Sequence, residues 1–309
     1  MKNLILSNKT AQDISRRVDR VLKDLGNPEP PIRLEDVREL LKLDLRYYTA
    51  DDPSLVDEVV SKIKVATIQI YRRPTLLLEA IKKLSLKALY IPDRKRILLD
   101  STLPKLKHRW NQAHEIGHSL IPWHESIMHG DNEQTLSHHC HELVEAEANF
   151  AAGRMIFLGD RFEEEALSMR ANFDSLTQLK KTYGNTYSTT LYRFVESFGE
   201  STPVIGMISC HPHISRRPVD FNPRSPSKHY IQSSAFKHKF GHITDVNVFG
   251  ALEEFCMNRS GGIIGTSDLV LTDRNGEDHR FMFETFYNSY DALTLGVYLN
   301  KESIVVAVP

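Results

Sequence analysis

The chain has 309 residues, 41% of them hydrophobic, 26% charged and 9% aromatic, enough apolar material to bury one elaborated core or two smaller ones. Lys and Arg number 39 against 40 Asp and Glu, so the formal net charge is −1; this excludes a globally basic nucleic-acid coat and a long acidic tail. Three widely spaced cysteines (Cys140, Cys210, Cys256) exclude a disulfide framework and fit a cytoplasmic location, and neither a signal peptide nor a membrane partner is expected.

In chain order, Ile14, Val18, Val21, Leu22 and Leu25 recur at helical spacing before Gly26. After a Pro-rich loop, 34–43 reads as a short amphipathic helix running into a strand at 44–49. Residues 54–65 and 74–86 are again helical in period, and 88–102 reads as a hairpin turning at Pro92–Asp93. A helix over 105–121 is expected to stop at Pro122. A polar, histidine-rich loop then spans 122–140, and a second helix spans 141–158. Residues 174–198 read as two helices around a turn at Gly184–Asn185. A proline-rich loop over 211–227 leads to apolar, β-branched runs at 228–236, 262–271, 279–287, 292–299 and 303–308 around one helix at 248–258, with a hairpin turn at 273–276.

Histidine is the compositional anomaly: eight of the fourteen fall between His108 and His141. Within that stretch stands His114-Glu115-Ile116-Gly117-His118, flanked by the apolar Trp110, Ala113, Leu120 and Ile121. Residues four apart share a helical face, so both imidazoles can reach one ion. Glu115, offset by one residue, is placed beside such an ion, where it can move a proton. Two imidazoles suit zinc, given a third protein ligand and an open position.

The chain offers two sources for that ligand. His124 follows His118 by six residues, the metzincin spacing, although Ile121 stands where that turn needs glycine. The alternative is a glutamate of the next helix, where Glu142, Glu145 and Glu147 qualify by type. Glu145 and Asn149 share a face, so one could bind the ion while the other orients a ligating imidazole. Ala146, Ala148, Ala151, Ala152 and Gly153 around them are small enough to let two helices approach closely.

With Ala113-His114-Glu115-Ile116-Gly117-His118 followed by Glu145-Ala146-Glu147-Ala148-Asn149 and Met155-Ile156, residues 34–198 resemble the ImmA/IrrE metallo-endopeptidases. The resemblance implies His114, His118 and Glu145 as ligands of zinc, with manganese an alternative, and Glu115 as the catalytic acid/base. It implies an α+β fold: a gluzincin-like helical core with a small antiparallel sheet over 1–160, a helix-turn-helix-like segment over 161–200, and a mixed, GAF-like sensor or docking domain over 201–309. It also implies a protein substrate, a helix-turn-helix transcriptional repressor, whose cleavage would induce stress-response or mobile-element genes. The rival reading is a non-proteolytic, metal-containing regulator that binds a repressor or DNA.

Other residues are read more blandly. His124 and His129 are expected as solvated loop residues, with an oxyanion contact as the alternative. His138, His139, Cys140 and His141 are a metal-compatible run whose neighbours point in different directions. Cys210-His211-Pro212-His213 lacks a second ligand pair. The helix 189–198 carries only Arg193 as a basic residue, so a packing role is favoured over DNA binding through 174–198.

Overall fold

Local chemistry sets the helix boundaries in the computed structural model, which describes residues 6–49, 88–129, 138–258 and 260–302. The expected helices at 54–65 and 74–86 and the strand at 303–308 lie outside the described residues. Helix α1 (Asn8–Asp24) starts where the Ser7 side chain accepts the Thr10 backbone N–H, and it buries Ile14, Val18, Val21 and Leu22 on one face. Gly26, at φ +77°, lets the chain leave it.

The chain divides into two units, residues 2–160 and 161–309. In the first, α1 and α2 (Leu34–Leu41) precede β1 (Asp44–Tyr48), β2 (Ala88–Ile91) and β3 (Arg96–Asp100). Helices α3 (Lys105–Leu120), α4 (Pro122–His129) and α5 (His138–Ile156) follow. The hairpin of β2 and β3 forms as read, with a single 3-10 turn at Pro92–Arg94.

The sheet departs from expectation: its order is β1-β3-β2, and β1 runs parallel to β3. It is therefore mixed rather than antiparallel. Only β2 and β3 are joined by a tight turn, which an antiparallel pair allows and a parallel pair does not. Helix α3 packs on β2, β3 and α5, and α1 lies against α5.

A second departure is α4. Pro122 ends α3 but also starts a new helix over residues expected as loop. Proline lacks an N–H and has a helical φ, so it disrupts a helix interior yet suits a first turn.

The second unit begins with α6 (Arg161–Ser168), α7 (Phe173–Tyr183) and α8 (Tyr187–Ser197), the last two joined through Gly184 at φ +64°. It continues with β4 (Val204–Ser209), β5 (Ser227–Gln232), α9 (Ser234–Phe240), α10 (Asp245–Phe255), β6 (Gly262–Thr272), β7 (Asp278–Tyr287) and β8 (Ala292–Lys301). The strands form one antiparallel sheet in the order β5-β4-β8-β7-β6. Every residue of β4 is buried, as a strand covered on both faces requires. On one face Phe236, Phe240, Phe249 and Leu252 of α9 and α10 pack with Ile205, Met207, Phe281 and Phe283.

On the other face α8 buries Leu191, Phe194 and Val195 and contacts β4, β5 and β8. A Cβ at Gly206 would lie 2.9 Å from Val195 Cγ2, so glycine permits this approach. Arg193 lies 3.7 Å from Glu196 and 4.0 Å from Glu163 within the same unit. The apolar face of α8 is thus spent on the sheet, as the packing reading expects.

The run at 228–236 is not one strand. Ser233 accepts the Phe236 N–H and starts α9, because a serine hydroxyl satisfies a helical N–H that an extended chain would not offer it. Among the described residues, no helix is long and apolar enough to cross a membrane.

Candidate metal centre

Ala113 and Ile116 are fully buried against the core, which turns His114 and His118 to the face of α3 that meets α5. The two rings meet edge-on, 4.8 Å between centroids, with their Nε2 atoms 3.1 Å apart. Glu145, on α5, brings Oε2 to 3.2 Å from His114 Nε2 and Oε1 to 3.6 Å from His118 Nε2. One ligand atom from each of the three lies within 4.8 Å of the others. The His118 side chain is 3% exposed and that of Glu145 53%, so the centre is walled on one side and open on the other.

The helices reach each other because of Gly117. A Cβ there would stand 2.7 Å from the Ala148 carbonyl oxygen and 3.3 Å from Ala151 Cβ. Ala148, Ala151 and Ala152 are fully buried in this contact region, as the run of small residues leads one to expect.

Behind the cluster, each imidazole is held by its second nitrogen. His114 Nδ1 lies 3.0 Å from Asn149 Oδ1, the relation expected from the spacing of Glu145 and Asn149. His118 Nδ1 lies 3.0 Å from His124 Nδ1, and His124 Nε2 lies 2.8 Å from Glu147 Oε2. The Trp123 indole N–H donates to the same oxygen at 2.6 Å.

These contacts test whether a cation fits. Asn149 Oδ1 only accepts, which places the His114 proton on Nδ1 and leaves Nε2 as a lone pair. By the same logic through Glu147 and His124, His118 presents an Nε2 lone pair. Two lone pairs and a carboxylate then face one another, an arrangement stabilised by a positive centre. The electrostatics agree. Burial pulls the His114 imidazole down, but the hydrogen bond and charge of Glu145 and the charge of Glu115 raise it overall. His118 is pushed down to about 3, first by burial and then by the charge of His114, with Glu145 opposing. The donor set therefore fits a small divalent ion.

Glu115 is buried, with its carboxyl pushed up to about 7. Burial is the main cause; Glu145 adds to it, while His114 and the Tyr90 backbone oppose. A carboxyl so placed exchanges a proton near neutrality.

The other candidates separate. His124 is not a solvated loop residue: it is fully buried on α4, and both of its nitrogens are engaged away from His114 and Glu145. Glu142 and Glu147 stand outside the trio, Glu142 exposed and Glu147 turned to His124 and Trp123. The partnership of Trp123 with Glu147 and His124 had no signal in the spacing. His129 lies at the end of α4, and His138, His139, Cys140 and His141 in the first turn of α5; their side chains lie outside what is described. His108 ties α3 to the sheet, its Nε2 2.9 Å from the Asp100 carbonyl oxygen. His211 and His213 serve local turns, accepting the His213 and Ser215 N–H groups.

A second trio, Asp273, Glu277 and His279, lies at the β6–β7 turn. Asp273 accepts the Asn275 and Glu277 backbone N–H groups and sits 3.3 Å from His279 Nε2, while Glu277 pairs with Lys301 at 2.6 Å. These contacts close the hairpin.

The family model of the IrrE N-terminal-like domain, Peptidase M78, matches residues 66–195, a span that includes α3 and α5 and ends within α8. No curated protein sequence matches the chain significantly. A solved structure of a Mycobacterium tuberculosis transcriptional regulator aligns with a TM-score of 0.53 at 14% identity, covering 94% of this chain and 76% of that one. At that identity the likeness is one of fold.

Proposed function

We propose that this chain, which carries in residues 66–195 a domain of the ImmA/IrrE metallopeptidase family, is a zinc-dependent endopeptidase acting on a protein partner. The observation that carries the reading is the convergence of His114 Nε2, His118 Nε2 and the Glu145 carboxylate, with the buried Glu115 carboxyl near enough to feel the charges of His114 and Glu145. His114, His118 and Glu145 would hold the ion, and manganese would satisfy the same donors less well than zinc. When bound, zinc supplies Lewis acidity, polarising the scissile carbonyl and acidifying a water.

The remaining chemistry belongs to the chain. Glu115 accepts a proton from the attacking water and delivers it to the departing amide nitrogen, and a carboxyl whose affinity for protons lies near neutrality can do both. Asn149 and His124 hold the two imidazoles in orientation. The half-exposed Glu145 marks the side from which a peptide can approach.

By family resemblance the substrate is a helix-turn-helix transcriptional repressor in the cytoplasm, cleaved to induce stress-response or mobile-element genes. The second unit would act as the sensor or docking module. The test mixes purified protein, zinc and the repressor encoded beside its gene, comparing wild type with Glu115→Gln. We expect cleavage to fall by about 10²–10⁴-fold with zinc content unchanged. Undiminished cleavage by Glu115→Gln would remove Glu115 from the mechanism. A repressor bound tightly but never cut would favour the non-proteolytic reading.

A further inference from the structure

His118 differs from His114 in what stands behind it. The support of His114 is an amide oxygen, whereas that of His118 is a second imidazole, fully buried and itself held by a carboxylate. The polarity of this chain of contacts follows from its far end. Glu147 Oε2 takes the Trp123 indole hydrogen and faces His124 Nε2 at 2.8 Å. A carboxylate only accepts, so the His124 proton sits on Nε2 and its Nδ1 is a lone pair. The single hydrogen in the Nδ1–Nδ1 contact then belongs to His118, whose Nε2 is left as a lone pair toward His114 and Glu145. Trp123 fixes the carboxylate, and Arg17 of α1 lies over the indole at 5.6 Å, so the relay is anchored in the helical core.

We propose that Glu147 and His124 form a two-link relay that holds His118 in its Nδ1–H tautomer and strengthens it as a metal donor. His124 is then a positioning residue and not a ligand. The third histidine of this H-E-x-x-H-x5-H sequence acts one shell out, through His118. The inference rests on the reading of His114, His118 and Glu145 as a metal centre, and it predicts that removing His124 weakens the metal without removing a donor.

The experiment measures zinc affinity by competition with a chromophoric chelator, at one fixed pH, for wild type, His124→Leu, His124→Asn and Glu147→Gln. Cobalt(II) absorption spectra of the same proteins report the donor set, and thermal melting of the chelated proteins reports the fold. Leucine removes the acceptor, asparagine restores an acceptor oxygen near the place of Nδ1, and glutamine removes the relay's charge. We expect His124→Leu to bind zinc about 10–100-fold more weakly, His124→Asn to recover most of that loss with the wild-type cobalt spectrum, and Glu147→Gln to fall between. If His124→Leu does not fold, Glu147→Gln against wild type decides: weakened zinc at an unchanged melting point supports the relay, and wild-type affinity overturns it. Wild-type affinity in His124→Leu, or no recovery in His124→Asn, overturns the relay while leaving the metal centre standing. A cobalt spectrum that loses a nitrogen donor in His124→Asn makes His124 a ligand and overturns it too. Failure of the wild type to take up zinc or cobalt overturns the metal centre and the relay together.

Discussion

Glu115 and His118 lie three residues apart and are displaced in opposite directions by the same cause. Burial disfavours the charged form of each, which raises a carboxyl and lowers an imidazole. The consequence for stability is separable. In protein stripped of metal by a chelator, the folded form holds the Glu115 proton up to about pH 7, against an ordinary value of 4.5. That contribution is fully present below 4.5 and is lost as pH rises through about 7. His118 runs the other way, its contribution growing as pH rises from about 3 toward 6.5. Comparing chelated wild type with Glu115→Gln cancels the His118 effect. We expect the stability of wild type relative to Glu115→Gln to fall by about 3 kcal/mol between pH 4.5 and 7, read by denaturant titration. A constant difference across that window would mean that the carboxyl is not desolvated.

At the scale of the element, the centre depends on how closely α3 and α5 approach. Gly117 sits one residue before His118 and faces a backbone carbonyl oxygen, Ala148 O, which cannot move aside as a side-chain tip would. Alanine at 117 adds helix propensity of about 1 kcal/mol but forces the helices apart, at a cost of about 1–3 kcal/mol. We expect Gly117→Ala to lower the melting point of the chelated protein and to weaken zinc binding, since Glu145 recedes with α5. A stabilised Gly117→Ala with wild-type zinc affinity would show that the contact is not limiting. Helix α4 is the other deciding element: by restarting the helix at Pro122, it turns His124 inward to His118 and Trp123 toward Glu147.

At the scale of the molecule, the candidate residues lie within residues 2–160, while 161–309 builds a separate core around its own five-stranded sheet. Expressed alone, residues 161–309 are expected to melt in one cooperative transition that neither zinc nor chelator shifts, while residues 1–160 bind one equivalent of zinc. Circular dichroism melts and metal analysis of the two fragments check this. Zinc-dependent melting of 161–309 would place a metal ligand in the wrong unit.

The sequence by itself determined that His114, Glu115 and His118 share a helix, because the covalent spacing and the 3.6-residue turn fix their angles about one axis. It also determined the amphipathic faces of α1 and α2 and the small residues of α5. The family resemblance already pointed to Glu145 among Glu142, Glu145 and Glu147; only the tertiary structure decided that β1 lies parallel to β3 and that His124 stands behind His118 rather than beside it. Spacing sets where a side chain points from its own helix. What it points at depends on the neighbouring element, and here that was set by the close contact at Gly117 and the new helix begun by Pro122.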